Sequence, residues 1–452
     1  MTAEIAIMNK GAVALAADSA VTIADQKIYN TVNKLFMLSK YHPIGLMIYG
    51  NSELMAVPWE TIIKIYRRDI GKKSFDTLEE YADNFMSFID SNTALFPESI
   101  QLLYFNSNIL SFFVVVKEGI DKEISAILAK DKEISEDKIL EVVANHIQKH
   151  YEVWGKYPKL PNIPDGHDDS IISKYKNEIK QAKEKIFEKL PISDSSFVQL
   201  EKICGYLFIK DKFHNNISGI AIAGFGDKEV FPVLSHFIVD GVLNGKLKYK
   251  KFPVSKIDLN NSTARIIPLA QRETVDTFIQ GIDPQYLKEV TAYLSELFNK
   301  YPEYVIKGID SLPDDKKKEL EDKLKNVGTN LLKEFNQIMG IYRRQNYIDP
   351  IINAVAVLPK DELAAMAEAL VNLTSFKRRI SLGKETVGGP IDVAVISKGD
   401  GFVWIKRKHY FKPELNPHFF ANYYCESTQT EERNKVKVKQ RYLAAVGAHR
   451  LP

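Results

Sequence analysis

The order in which strand-like and helix-like patterns follow one another constrains the fold of this chain more than any other feature. Strand patterns fill the first fifty residues, return after residue 216 and appear again near residue 400, while long helical patterns occupy the intervals between them. Single strands alternating with helices would favour a parallel sheet, whereas grouped strands favour antiparallel sheets covered by helices. The sequence therefore predicts stacked sheets covered by helices, an α+β fold.

The predicted strands form hairpins, because turn-forming residues join neighbouring apolar runs. Asn9-Lys10-Gly11 separates the first two runs, and Tyr41-His42-Pro43 separates the next two. Polar turns at 226–229 and 398–401 join the later pairs. The four predicted pairs are Ala3 to Met8 with Ala12 to Ala17, Lys34 to Leu38 with Ile44 to Tyr49, Ile217 to Gly224 with Val230 to Val239, and Ile391 to Ser397 with Phe402 to Lys406.

Helical periodicity begins after Gly50-Asn51-Ser52, which offers a helix N-cap, and dominates the chain to about His214. The proline-containing stretch from Pro158 to Asp165 interrupts it and predicts a loop or hinge. The clearest helical patterns are Glu53 to Asp69, Thr77 to Ile89, Ser170 to Leu190, Pro284 to Tyr342 and Pro359 to Lys377. The predicted segments are the first part of a core at 1–52, a helical insertion at 53–215, the remainder of the core at 216–406 and a basic C-terminal tail at 407–452.

Charge and cysteine content exclude several classes of function. The chain has 452 residues with 61 Lys and Arg against 58 Asp and Glu, so its net charge of +3 gives no field that would select nucleic acid or an anionic membrane. Cys204 and Cys425 lie outside any CxxC pair, which argues against a disulfide framework or a thiolate metal site. The N-terminus lacks signal-peptide features, and the apolar stretches fall short of the ~20 residues that span a bilayer. A soluble, cytoplasmic protein is the prediction.

Thr2 becomes a candidate nucleophile once Met1 is removed. A threonine hydroxyl needs a base within hydrogen-bond reach, and the free α-amino group of the same residue is such a base. An α-amino group has a pKa of about 7.7 to 8.0, so electropositive surroundings would keep it largely neutral at cytosolic pH. A buried lysine held by a carboxylate would supply those surroundings, and Lys34 and Asp18 are the candidates.

The positions of these residues carry a resemblance to a known family. Asp18 follows Thr2 by 16 residues and Lys34 follows it by 32, within the stretches TAEIAIMNKGAVALAADSAVT and NKLFML. In this spacing and sequence the chain resembles the proteasome β-subunit family of N-terminal-nucleophile hydrolases. Looser similarity returns in IAGFGDKEVFP, in Val239-Asp240-Gly241 and in ETVGGPIDVAVIS. The resemblance implies a four-layer αββα sandwich of two stacked antiparallel sheets, enlarged here by a large helical insertion.

The resemblance also implies a role for the matching residues. Thr2 would be the nucleophile, Lys34 the group that lowers the basicity of its amine, and Asp18 the carboxylate that orients the lysine. Gly50, in IYGNSE, would donate its backbone N–H to the oxyanion at the start of a helix, where the dipole also favours an anion.

The side of the site that binds the Thr2 amine departs from the family pattern. By position, the serine and the aspartate that bond this amine in the family correspond to Gln271 and Glu385. A further family serine corresponds to Gly388. None of the three identities matches, so the proton relay on this side is altered.

These residues predict a threonine peptidase that cleaves peptide bonds through an acyl-enzyme on Thr2, with no metal or organic cofactor. The same nucleophile also serves amidases and acylases that act on small amides, so that interpretation stays open. A third interpretation is a catalytically inactive binding or scaffold protein, which the departures on the amine side favour. His146 and His150 have the i, i+4 spacing of a zinc pair, although a solvated helix face explains them without a metal.

The predicted partners are a peptide or protein substrate and further copies of the chain, with no nucleic acid and no membrane. We expect residues from about Gly71 to Lys212 to form a helical subdomain beside the mouth of the Thr2 site, because predicted core strands precede and follow them. Such a block would restrict or recruit substrate, offer a surface to a regulatory partner and obstruct the side-by-side packing of family rings.

Overall fold

The computed structural model describes residues 3–23, 27–29, 31–213, 216–260, 262–309, 313–381 and 387–418. Two predicted site residues, Thr2 and Glu385, lie outside this part of the chain. The chain divides into a compact unit that ends at Lys406 and a second unit that begins at Arg407. The described residues of the second unit include a short 3-10 helix, Pro413–Leu415.

The described residues form a mixed α+β fold with two antiparallel sheets. The strands are β1 (Glu4–Asn9), β2 (Val13–Ala17), β3 (Val21–Ile23), β4 (Lys27–Tyr29), β5 (Leu35–Met37), β6 (Ile44–Gly50), β7 (Glu53–Leu54), β8 (Val57–Pro58), β9 (Ser218–Gly224), β10 (Val233–Leu243), β11 (Lys246–Lys251), β12 (Ser255–Lys256), β13 (Ala264–Pro268), β14 (Asp392–Ser397) and β15 (Gly401–Lys406). The first sheet has five strands in the order β13-β1-β2-β14-β15. The second has six, in the order β11-β10-β9-β6-β5 with β12 paired to β10.

Helices separate the strand groups, as the sequence predicts. They are α1 (Trp59–Ile70), α2 (Leu78–Ser91), α3 (Glu98–Asp131), α4 (Glu136–Lys156), α5 (His167–Lys174), α6 (Lys176–Phe187), α7 (Asp194–Ile209), α8 (Glu273–Gln280), α9 (Pro284–Lys307), α10 (Asp314–Arg343), α11 (Asp349–Val357) and α12 (Lys360–Ile380), with a π-helical segment at Arg344–Ile348. Two long predicted helices are each two helices in the structure. The helix predicted from Ser170 to Leu190 is interrupted at Tyr175, which lies between α5 and α6. The helix predicted from Pro284 to Tyr342 is divided into α9 and α10.

The four predicted hairpins are confirmed. β1 pairs with β2, β5 with β6, β9 with β10 and β14 with β15, all antiparallel. The strand predicted at Val230 to Val239 begins later, at Val233, and continues to Leu243. The pairing of β13 with β1 was not predicted, because a five-residue strand carries little pattern of its own.

Both faces of β1 are buried, which explains why this strand is apolar almost throughout. Ile5 and Ile7 lie in one hydrophobic cluster with side chains from α12, including Leu363. Ala6 and Met8 lie in another cluster, which also contains strand residues of the second sheet such as Met47 and Ala221. Side chains of a strand alternate between its two faces, so β1 separates these two clusters.

Helices α1 and α2 pack on the second sheet. Trp59 and Ile62 from α1 and Phe85 from α2 share a cluster with Ile48 of β6 and Ile220 of β9. A complete capping box at Thr77 starts α2, as its Thr-x-x-Glu sequence favours. Although α2 falls within the predicted subdomain, its apolar face belongs to the core of the sheet.

Helices α3 to α7 have a hydrophobic core of their own. Phe105 and Phe113 of α3, Ile147 of α4 and Leu200 of α7 are among its fully buried members. The helical subdomain predicted to begin at Gly71 therefore starts at α3. The residues 158–165 form the predicted non-helical connection between α4 and α5, yet Leu160 is buried, which does not suit a hinge.

Both ends of this α3–α7 block contact the hairpin formed by β10 and β11. Near the start of α3, the Gln101 side-chain oxygen accepts the Asn244 N–H at 2.7 Å. At the end of α7, the Leu207 carbonyl accepts a hydrogen bond from buried Lys248 Nζ at 2.7 Å. Both ends of the block are thus fixed to the same hairpin of the second sheet.

By length and composition, α3 is the helix among the described residues that is apolar enough to cross a membrane. The buried core helices of soluble proteins meet the same criteria. Seven residues along α3 are buried, from Gln101 to Ile120, and most of them pack in the core of the α3–α7 block.

Candidate active site

Asp18 and Lys34 form a buried ion pair, as the sequence predicts. Lys34 Nζ lies 2.6 Å from Asp18 Oδ1, and the two side chains are 4% and 0% exposed. Lys34 also donates to the Ala20 carbonyl at 2.5 Å. Burial removes both charges from water, so each depends on the other and on these hydrogen bonds for its stabilisation.

Backbone N–H groups from three parts of the chain hold the Asp18 carboxylate. Ala3 at the start of β1 donates to Oδ1 at 3.1 Å, and Ala20 donates to Oδ2 at 3.3 Å. Gly388, just before β14, donates to Oδ2 at 3.0 Å. With Lys34, four donors occupy the four lone-pair sites that a carboxylate offers. Asp18 therefore ties the N-terminal end of β1 to the ion pair.

The chain around Asp18 is fixed by further backbone contacts. The Asp18 N–H donates back to the Ala3 carbonyl at 3.1 Å, which makes the contact between these residues reciprocal. The Ser19 N–H donates to the Gly388 carbonyl at 3.2 Å, and the Ser19 hydroxyl is hydrogen bonded to the Pro390 carbonyl. The segment before β14 thus lies against the end of β2.

Gly50 ends β6, two residues beyond Ile48, whose N–H donates to the Lys34 carbonyl at 2.9 Å. The φ of Gly50 is +81°, and a Cβ at this position would lie 2.4 Å from the Ile217 carbonyl oxygen. Only glycine adopts this conformation without strain at so close an approach. The backbone thus requires a glycine here independently of catalysis.

The prediction that Gly50 stands at a helix N-terminus is wrong. Residues after Gly50 form the small hairpin of β7 and β8, and Met55 and Ala56 within it have positive φ values of 50° and 66°. Helix α1 begins only at Trp59. A helix dipole therefore does not act at Gly50.

Gln271 follows β13, the strand that pairs with β1. Ile5 lies opposite Pro268, and the Leu269 N–H donates to the Glu4 carbonyl at 3.0 Å. Two further residues along this direction lead to Gln271, whose side-chain oxygen accepts Arg378 Nε at 2.6 Å. The structure thus brings Gln271 towards the same end of β1 as Asp18, with its carbonyl oxygen engaged by an arginine.

Glu4, which was not predicted from the sequence as a site residue, is a buried acid near the ion pair. It is 2% exposed, and neither side-chain oxygen has a hydrogen-bond partner among the described residues. Burial raises the pKa of the Glu4 carboxyl well above its usual range; the charge of Lys34 opposes this shift and that of Asp18 adds to it. An acidic residue within the apolar run AEIAIM was the signal that could have identified it.

Tyr49 and His236 form a second polar pair near Glu4. The Tyr49 hydroxyl is hydrogen bonded to His236 Nε2, and the imidazole stacks on Phe252 with ring centroids 4.7 Å apart. Burial, with a smaller contribution from Arg272, lowers the pKa of His236 to about 4. Burial and the nearby Glu4 raise the pKa of Tyr49. Both side chains are therefore uncharged at neutral pH.

The histidine pair considered as a zinc site lies in the α3–α7 block. His146 Nε2 is 2.7 Å from Glu123 Oε2, and His150 makes an edge contact with Phe112. No group of three or more potential His, Cys, Asp or Glu metal ligands occurs among the described residues. The contacts of both histidines are those of a helix–helix interface.

A scan against models of known protein families finds no match to this chain, and a search among curated proteins finds none either. The residues and their geometry therefore carry the functional argument.

Proposed function

We propose that this protein is an N-terminal threonine hydrolase that cleaves peptide bonds through an acyl ester on Thr2. One observation carries the proposal: the Asp18 carboxylate accepts both the Ala3 N–H and the Lys34 ammonium group. Thr2 is joined to Ala3 by the adjoining peptide bond, so the ion pair lies one residue from the candidate nucleophile. Removal of Met1 would free the Thr2 amine to act as the base.

We also infer that the two sheets stack face to face, with helices on both outer faces, as in the αββα sandwich. The cluster that contains Met8 and Leu15 together with Met47 and Ala221 supports the stacking. The clusters that contain α12 on one side and α1 with α2 on the other support the outer helical layers. In such an arrangement the start of β1 lies at one end of the inter-sheet space.

The proposed reaction uses the two functional groups of Thr2 in turn. The hydroxyl oxygen attacks the amide carbon, and its proton passes to the amine. The C–N bond then breaks, the leaving nitrogen takes up a proton, and the acyl group remains on Thr2 until water hydrolyses the ester. Lys34, held by Asp18, lowers the basicity of the amine before attack. Gly50 is our candidate for the oxyanion donor, through its backbone N–H alone.

The test is intact-mass spectrometry of the purified protein before and after treatment with a β-lactone. We expect a chain that begins at Thr2 and gains one adduct, which peptide mapping places on Thr2. Thr2→Ala should abolish the adduct, whereas Thr61→Ala, on an exposed position of α1, should leave it unchanged. Retention of Met1 together with no adduct would reject the hydrolase and favour the binding or scaffold interpretation.

Substrate class is tested separately, because Thr2 chemistry serves both peptides and small amides. The protein that the β-lactone labels on Thr2 should release peptides from an unfolded protein substrate. Prior treatment with the β-lactone should block this release. Turnover confined to small aryl amides would reject the peptidase and retain the amidase interpretation. We propose that the α3–α7 block restricts access of larger substrates to the Thr2 site.

A further inference from the structure

Glu4 is a buried acid two residues from the proposed nucleophile in the sequence. Its neighbours on the same face of β1 are Ala6 and Met8, which are fully buried in the cluster shared by the two sheets. Neither oxygen of the Glu4 carboxyl has a hydrogen-bond partner among the described residues. Burying a polar group without a hydrogen bond costs about 1–3 kcal/mol, so such a group calls for a functional explanation.

The polar groups around Glu4 are engaged with one another. Lys34 and Asp18, whose charges act on Glu4, form the ion pair, and Tyr49, on which the Glu4 charge acts, is hydrogen bonded to His236. Arg272 adds a positive charge near Tyr49 and His236 and lies 3.8 Å from Asp276. Glu4 thus lies near two partnered pairs, and its carboxyl is available to a group that the described residues do not supply.

The covalent chain limits the distance between Glu4 and the proposed nucleophile. Thr2 precedes Glu4 by two residues, so their Cα atoms lie no more than about 7 Å apart. A glutamate carboxyl spans most of that distance, and one water bridges the remainder.

The other residues on the amine side are poorly suited to proton transfer. Gly388 has no side chain, and its N–H is engaged by Asp18. The Gln271 amide does not ionise at ordinary pH, and its oxygen accepts from Arg378. Among the described residues in this part of the site, Glu4 is the carboxyl that neither an ion pair nor a hydrogen bond occupies.

We propose that Glu4 is the proton-relay acid of the Thr2 site, acting directly or through one water. During acylation the Thr2 hydroxyl gives its proton to the Thr2 amine. Glu4 gives its own proton to the leaving nitrogen as the C–N bond breaks, and it recovers a proton from the Thr2 ammonium. At the end of the step Glu4 is again protonated, the amine is neutral and the acyl group is esterified to Thr2. This inference rests on the proposed threonine hydrolase.

The electrostatics agree with this role, because an acid must hold its proton at the working pH. Burial raises the pKa of Glu4 well above its usual range, and the negative charge of Asp18 acts in the same direction. Lys34 opposes the shift but is itself paired with Asp18. General acids of this kind contribute typically 10²–10⁴-fold to a rate.

The test measures the rate of Thr2 acylation by a β-lactone as a function of pH in the full-length protein. The Thr2 oxygen–carbonyl bond forms, the ring C–O bond breaks, and the hydroxyl proton ends on the released ring oxygen. We expect Glu4→Gln to lower this rate about 100-fold or more and to remove the fall in rate at high pH that follows loss of the Glu4 proton. Glu4→Asp, which keeps an acid, should recover part of the rate and the alkaline fall.

Glu118→Gln is the matched control, since it makes the same substitution at an exposed position of α3, and its rate should stay close to that of the wild type. An unchanged rate and pH profile in Glu4→Gln would overturn the relay while wild-type labelling still supports the Thr2 nucleophile. Absence of labelling in the wild type would instead reject the proposed function and the relay with it. If Glu4→Gln does not fold, Glu4→Leu replaces it, since it removes the acid and places an apolar side chain in this buried position, and an unaltered rate and pH profile in that variant overturns the relay.

Discussion

We expect the two partners of the buried Asp18–Lys34 ion pair to differ in how much stability is lost when each is replaced. Asp18→Asn leaves the ammonium of Lys34 buried without the carboxylate that now lies 2.6 Å away, and removal of one partner of such a pair costs about 3–5 kcal/mol. Lys34→Met leaves the Asp18 carboxylate with its backbone donors Ala3, Ala20 and Gly388 at 3.1, 3.3 and 3.0 Å. Because these donors still satisfy the carboxylate, we expect Lys34→Met to lower the free energy of unfolding by only about 1–3 kcal/mol.

Urea denaturation at pH 7, followed by circular dichroism, measures both variants. The midpoint of Asp18→Asn should fall further than that of Lys34→Met at similar m-values. The double variant should lose less stability than the two single variants together, because it leaves neither charged partner buried alone. Lys64→Met is the matched control, since it removes an exposed pair with Glu60 and should cost less than about 1 kcal/mol. A cost for Lys34→Met equal to or larger than that for Asp18→Asn would refute the reasoning.

Three further measurements follow from the structure. Gly50→Ala introduces a Cβ 2.4 Å from a carbonyl oxygen at a φ of +81°, so we expect a loss of about 1–3 kcal/mol in thermal unfolding, whereas Gly155→Ala in α4, where no atom lies within 4 Å, should be neutral or stabilising. The pKa of His236 is about 4 in the folded protein against an ordinary value of 6.5, so between these pH values the unfolded chain binds more protons than the folded one. The free energy of unfolding should therefore fall as the pH decreases from 6.5 towards 4. His236→Gln should reduce this pH dependence in melting curves recorded at pH 7 and pH 5. Asp240→Ala removes the carboxylate 3.2 Å from buried Lys248 and should cost about 3–5 kcal/mol in urea denaturation, with a cost below about 1 kcal/mol contradicting a structural role for the pair.

The sequence predicted the parts of the fold that local patterns determine. The hairpins of β1 with β2 and of β9 with β10 are encoded by apolar runs around short turns, and both are present. The pairing of β13 with β1 depends on residues more than 250 positions apart in the chain, so no local pattern announces it. The break at Tyr175 likewise depends on how α5 and α6 pack within the α3–α7 block, which periodicity alone does not reveal.

At the candidate site, the sequence predicted the charged pair but not its surroundings. The fixed spacing from Thr2 led to Asp18 and Lys34, and the structure brings them together. Gly50-Asn51-Ser52 has the composition of a helix N-cap, yet Met55 and Ala56 turn the chain back into a small hairpin. Glu4 was missed because its burial is produced by the second sheet, and its sequence neighbours show only that an acid interrupts an apolar strand.

The anchoring of both ends of the α3–α7 block on one hairpin has an evolutionary consequence. Gln101 and Leu207, one near each end, contact the segment around Asn244 and Lys248, so the two ends of the block lie against the same hairpin. Insertions succeed at sites where the ends meet at the surface of an existing fold. A lineage can therefore gain, exchange or lose these helices as one unit without changing the strand order of either sheet.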